Sequence, residues 1–126
     1  MKREILTDRA PKPVGAYSQA VAAGGFVFVS GQLGIDPKTG GMPEGVEEQA
    51  RLALGNLKAI LEEAGSGLDK VVKVTVYLVD MADFAKVNEV YGAFFPKPYP
   101  ARAAVAVREL PKGAKVEIEA IALLES

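Results

Sequence analysis

One stripe of apolar side chains constrains this chain more than any other feature. Val46, Ala50, Ala53, Leu54, Leu57, Ile60, Leu61 and Ala64 recur at helical spacing, so that they share one side of an α-helix. Glu47, Glu48, Arg51, Lys58 and Glu62 fall mostly outside the stripe. A helix of this kind has to bury its apolar side against a second layer. Glu47 and Glu48 sit in its first turn, where negative charge suits the helix dipole. Gly65 stands where a left-handed residue can end it.

The second layer reads as β-structure. Tyr17–Ala23 and Phe26–Val29 flank Gly24-Gly25, a pair that tolerates the positive φ of a tight turn, and predict a β-hairpin within Gly15–Ser30. Asp36–Gly41 is rich in turn residues. Val71–Val79 predicts a strand with Val72, Val74, Val76 and Leu78 on one face and Lys73, Thr75 and Tyr77 on the other. A second helix is expected over Met81–Phe94, capped by Asp80 and burying Phe84, Val87, Tyr91 and Phe94. Pro96, Pro98 and Pro100 end it. Strands are expected at Arg102–Arg108 and Lys115–Leu124, and the short connection Leu110–Gly113 predicts that these two pair antiparallel. The order predicts an α+β fold, with two helices covering one face of a mixed sheet, as one domain over residues 1–126.

The uncovered face of that sheet is informative. In the last strand Val116, Ile118, Ala120 and Ala122 should face the helices, leaving Lys115, Glu117, Glu119, Ile121 and Leu123 opposite. That side begins charged and becomes apolar, which suggests a subunit interface with charges at its margin.

Composition narrows the chemistry. The 126 residues contain no cysteine and no histidine, which excludes disulfides, thiol nucleophiles, Cys/His metal sites and Ser-His-Asp triads. Acid–base work falls to carboxylates, Tyr, Lys, ordered water or backbone groups. A net charge of −1 argues against nucleic acid as the main partner. The amino terminus has no apolar leader and no run reaches membrane-spanning length, so a cytoplasmic protein is expected.

Arg102 and Glu117 are the candidates for chemistry. Spacing alone favours a solvated reading of Arg102, since most arginines are exposed. The alternative uses its planar fork to hold a carboxylate through two parallel hydrogen bonds. Glu117 is either a surface carboxylate or a group that orients water. Pairing of their two strands would bring them together. Tyr17, Ser30 and Asn88 look ordinary in isolation, and Ser30-Gly31-Gln32 is too short to signal a phosphate loop.

Taken in order, several blocks resemble one known family. Pro13–Ala20, Phe28-Val29-Ser30-Gly31-Gln32, Val87-Asn88, Pro100–Val105, Leu110–Gly113 and Val116–Ala120 together resemble the reactive intermediate deaminases, also called RidA or YjgF and sometimes endoribonuclease L-PSP. The resemblance covers nearly the whole chain. It implies a chorismate-mutase-like α+β fold, a homotrimer with clefts between subunits, and hydrolysis of 2-imino acids to 2-keto acids and ammonia without a cofactor or metal. It further implies that Arg102 pairs with the substrate carboxylate and that Glu117 activates water. The Arg102 carbonyl and the Ala104 amide would contact the imine region. Tyr17, Ser30, Gly31 and Asn88 would shape the pocket, some of them from a neighbouring subunit. Many members have cysteine where this chain has Ala104, so a thiol role there is absent. The loop Lys97-Pro98-Tyr99 is shorter than in some members. A carboxylate-sensing regulatory protein is a second reading, and a ribonuclease or translation inhibitor, suggested by the older family label, is a third.

Overall fold

A computed structural model describes residues 1–124. Six strands form one sheet: β1 (Arg3–Ile5), β2 (Ala20–Ala23), β3 (Phe26–Leu33), β4 (Val71–Leu78), β5 (Ala101–Ala106) and β6 (Val116–Leu123). Their spatial order is β1-β2-β3-β6-β4-β5, with β4 and β5 parallel and the other pairs antiparallel. Helices α1 (Val46–Ala64) and α2 (Phe84–Phe94) share a core with one face of the sheet. The α+β reading therefore holds, with two helices on a mixed sheet.

Helix α1 follows the apolar stripe. Leu54, Leu57, Ile60 and Leu61 are fully buried, and side chains of this size each contribute about 1.5–3 kcal/mol when removed from water. Gly65 ends the helix at φ 89°, its N–H donating to Glu62 and that of Ser66 to Leu61, the pairing that satisfies the last carbonyls of a helix. The helix lies tight against the end of β3. A Cβ on Gly34 would stand 2.4 Å from the Gln49 carbonyl oxygen. The hairpin turn at Gly24 and Gly25 has φ of 59° and 83°, as a primed two-residue turn requires.

Helix α2 is shorter than expected. Met81–Asp83 is a separate 3₁₀ turn, capped by Asp80, whose Oδ1 accepts from the Ala82 N–H at 2.9 Å. Val87, Val90 and Tyr91 are buried, whereas Phe84 and Phe94 are only partly so.

Three strand expectations need correction. The expected strand Tyr17–Ala23 begins only at Ala20, and β3 runs on to Leu33. Val72 is exposed rather than buried, because an irregularity between Val71 and Lys73 places Val71 on the core side. Most consequential for the site, β5 does not pair with β6. It lies parallel to β4 at the sheet edge, and β4 separates it from β6. A strand–helix–strand unit favours this outcome, since a helix is the common connection between parallel neighbours.

The face away from the helices carries an apolar patch. Phe26 and Phe28 are exposed there, their rings 6.2 Å apart, and their register partners Leu123 and Ile121 are half-buried. No helix among the described residues is long and apolar enough to cross a membrane.

Candidate functional site

The residues singled out by sequence separate into two hollows. Tyr17, Ser30, Gly31 and Glu117 line a groove of about 1010 Å³. Asn88 and Arg102 line a smaller one of about 400 Å³ with Tyr91 and Tyr99. Ala104 belongs to the lining of neither; it is partly buried against the core, paired in register with Val76.

The groove is built around a break in β3. The register of β3 against β6 shifts between Val29 and Gln32, and Ser30-Gly31 occupies the irregularity. The Ser30 hydroxyl donates to the Ser18 carbonyl at 2.6 Å and the Ser30 N–H to the Gln19 carbonyl at 2.9 Å. Ser30 thereby anchors the segment that carries Tyr17, which is 51% exposed at the groove. Gly31 faces Glu117 directly. A Cβ at Gly31 would lie 2.5 Å from the Glu117 Oε2, so the missing side chain is what admits the carboxylate.

Burial pushes the Glu117 carboxyl above its ordinary value, and the Glu119 charge adds to the effect. Both carboxylates project from the uncovered face of β6 into the groove. Tyr77, the register partner of Glu117, is also raised, by burial first and then by Glu119. A carboxyl with raised proton affinity exchanges protons closer to neutral pH than an ordinary one, which suits acid–base work.

Sequence reasoning passed over the residue that holds the groove's outer wall. Gln19 is 1% exposed. Its Oε1 accepts from the Thr7 N–H at 2.8 Å, and its Nε2 lies within hydrogen-bonding distance of the carbonyls of Thr7, Ala10 and Pro11. Ala10, Pro11 and Lys12 of that tethered segment line the groove. A glutamine next to a strand gives no sign of such a task.

The smaller hollow holds Arg102 in a fixed pose. Its Nη1 donates to Asn88 Oδ1 at 2.7 Å. The guanidinium carbon lies 4.7 Å from the Tyr91 ring centroid and 5.2 Å from that of Phe84. Aromatic faces attract a guanidinium and hold it flat. Arg102 sits across from Val74 in register and so lies on the helix-covered side of the sheet. The guanidinium fork carries further N–H groups, and two parallel donors match a carboxylate.

The expectation that strand pairing brings Arg102 and Glu117 together is overturned. Their strands are separated by β4, where Arg102 pairs with Val74 and Glu117 with Tyr77. They also occupy opposite faces of the sheet. Two strand spacings alone amount to roughly 9–10 Å. Among the described residues no group of three or more His, Cys, Asp or Glu is arranged to hold a metal ion.

Comparison with known proteins agrees with this architecture. The endoribonuclease L-PSP family model matches residues 7–124. A RutC family protein of Pyrococcus horikoshii is 57% identical over 126 residues, covering 99% of this chain and 100% of that protein. The 2-iminobutanoate/2-iminopropanoate deaminase of Rattus norvegicus is 50% identical over 124 residues, covering 98% of this chain and 90% of that protein. The crystal structure of Escherichia coli TdcF with bound serine matches with a TM-score of 0.94 at 47% identity, covering 98% of this chain and 99% of that one. The chain belongs to the endoribonuclease L-PSP family, the group of reactive intermediate deaminases that also carries the RidA, YjgF and RutC names.

Proposed function

We propose that this protein hydrolyses short-lived 2-imino acids, such as 2-iminobutanoate and 2-iminopropanoate, to 2-keto acids and ammonia. The observation that carries this reading is the pair of complementary groups: a forked guanidinium donor on an aromatic shelf, and a carboxylate of raised proton affinity over a glycine. The rat relative, 50% identical, bears the name of this activity. TdcF, 47% identical, binds serine, a small molecule with the carboxylate that Arg102 is suited to hold.

In this mechanism Arg102 holds the substrate carboxylate through its fork. Glu117 takes a proton from water as the water oxygen bonds to the imine carbon. Glu117 passes that proton to the imine nitrogen, and the carbon becomes a tetrahedral carbinolamine. Glu117 then takes the proton of the new hydroxyl and delivers it to the amine nitrogen, so that the C–N bond breaks, ammonia leaves and the keto acid remains. An imine carbon is already electrophilic, so orientation and one proton carrier suffice and no cofactor is required. Tyr17, Ser30, Gly31 and Asn88 shape the site, and the backbone at Arg102 and Ala104 contacts the imine region.

A small substrate cannot touch Arg102 and Glu117 of the same chain, because they lie on opposite faces of the sheet. We therefore assign the two groups of each site to different subunits. The assembly is a homotrimer of chorismate-mutase-like protomers, and the patch of Phe26, Phe28, Ile121 and Leu123 is the surface suited to burial there.

A coupled assay tests the activity. A pyridoxal-phosphate dehydratase acting on serine or threonine releases imine, and this protein should speed keto-acid formation beyond the uncatalysed rate. Arg102→Ala should lose about 2–5 kcal/mol of the interaction with the carboxylate. Equal rates with wild type and Arg102→Ala would contradict the assignment. A carboxylate-sensing protein would bind the same ligands without turnover.

A further inference from the structure

We propose that the Tyr91 hydroxyl is a second donor to the carboxylate held by Arg102, so that the two side chains together form the carboxylate-specific end of the site. This rests on the assignment of Arg102 as the carboxylate clamp and adds a residue to it.

Tyr91 is 4% exposed. Its hydroxyl is the buried side-chain polar atom, among the described residues, that has no hydrogen-bond partner. Buried polar groups are nearly always paired, and an orphan in a well-packed core needs an explanation. Tyr91 also lines the small hollow together with Arg102 and Asn88, so the orphan hydroxyl belongs to a core side chain that borders a ligand-sized space.

The neighbours explain why the protein leaves it unpaired. Arg102 lies over the Tyr91 ring, and a guanidinium has donors only, so it cannot accept the phenolic proton. Asn88 Oδ1, the side-chain acceptor on the shelf, receives Arg102 Nη1 at 2.7 Å. Phe95 packs against the Tyr91 ring at 4.6 Å between centroids and offers no acceptor. The proton therefore waits for an acceptor that arrives from outside. A carboxylate drawn to Arg102 is acceptor-only and brings two oxygens, one for the guanidinium and one for the phenol. Burial raises the Tyr91 pKa above its ordinary value, against the charge of Arg102 and an Arg102 N–H directed at the phenol oxygen; that N–H leaves the phenol proton itself without an acceptor, and the hydroxyl keeps its proton near neutral pH.

The test compares wild type, Tyr91→Phe and Arg102→Ala by calorimetric titration with 2-oxobutanoate and with its neutral amide, alongside unliganded thermal melts. Tyr91→Phe should bind 2-oxobutanoate about tenfold more weakly, as loss of one hydrogen bond to a charged acceptor implies. Its preference for the carboxylate over the amide should narrow. Its unliganded melting temperature should equal or exceed that of wild type, because phenylalanine removes an unpaired polar group. A melting temperature below wild type would mean that the hydroxyl is satisfied within the fold, by a held water for example, and would overturn the inference. Unchanged affinity in Tyr91→Phe with loss in Arg102→Ala would also overturn it while leaving the Arg102 clamp standing. Unchanged affinity in both variants would remove the clamp and the inference together.

Discussion

Arg102 and Glu117 lie on opposite faces of one sheet, with β4 between their strands. Arg102 leans on α2 through Asn88, Phe84 and Tyr91. Glu117 stands on the uncovered side over Gly31. Arg102 is held by its own chain, and each group is out of the other's reach. Sites shared between subunits arise naturally from such an arrangement in cyclic oligomers, where one surface of a protomer meets a different surface of the next.

Gly31 supports Glu117 by having no side chain. Gly31→Ala forces a methyl group to within 2.5 Å of the present Glu117 Oε2 position. The clashing atom is the far end of a flexible side chain, so the fold can absorb the change while the carboxylate moves. We expect kcat to fall by about 10–100-fold, the scale of an ångström-sized misplacement of a reacting group. The melting temperature should shift by no more than about 4 °C. Steady-state kinetics and a thermal melt on the same preparation check this. Full activity would show that the carboxylate position over Gly31 is not needed.

The raised proton affinity of Glu117 gives a pH signature of defined sign. Its pKa in the folded protein lies above the ordinary 4.5, through burial first and then through Glu119. Between the unfolded and folded values the native chain holds the proton more tightly than the unfolded chain does. Stability therefore falls as pH rises through that window. Glu117→Gln removes the buried charge, so it should resist denaturant better than wild type at pH 7. That advantage should shrink as pH falls below 4.5. The same variant should lose turnover at every pH, while wild-type kcat/KM should climb as Glu117 ionises. Denaturant titrations at neutral and acid pH, with rates on the same samples, measure both effects.

Much of the fold was legible because its signals are local. The α1 stripe, the glycine stop at Gly65, the Gly24-Gly25 turn and the Asp80 cap each rest on a few neighbouring residues. The alternation in β6 separated Glu117 and Glu119 from the core correctly. What failed was non-local. The partner of β5 was read from the short connection Leu110–Gly113, whereas the β4–α2–β5 succession carried the stronger signal for parallel pairing. That error placed Arg102 beside Glu117. The exposed Val72 came from a one-residue irregularity, which reverses the facing of side chains and leaves no mark in the apolar pattern. Of the site, resemblance supplied the residue types and spacing supplied almost none. Gln19 and Tyr91 stayed hidden because a tethering amide and an unpaired hydroxyl are defined only by what surrounds them.

The division of each site between subunits is the central claim, and mixing two inactive variants tests it most directly. Arg102→Ala and Glu117→Gln are each expected to be inactive in the coupled imine assay. Unfolded together in equal amounts and refolded, they should form hybrids in which about one quarter of the sites receive an intact Arg102 from one subunit and an intact Glu117 from the next. We predict that activity returns to about that fraction of wild type. Hybrids shown by native mass spectrometry to contain both variants, yet remaining inactive, would contradict the account.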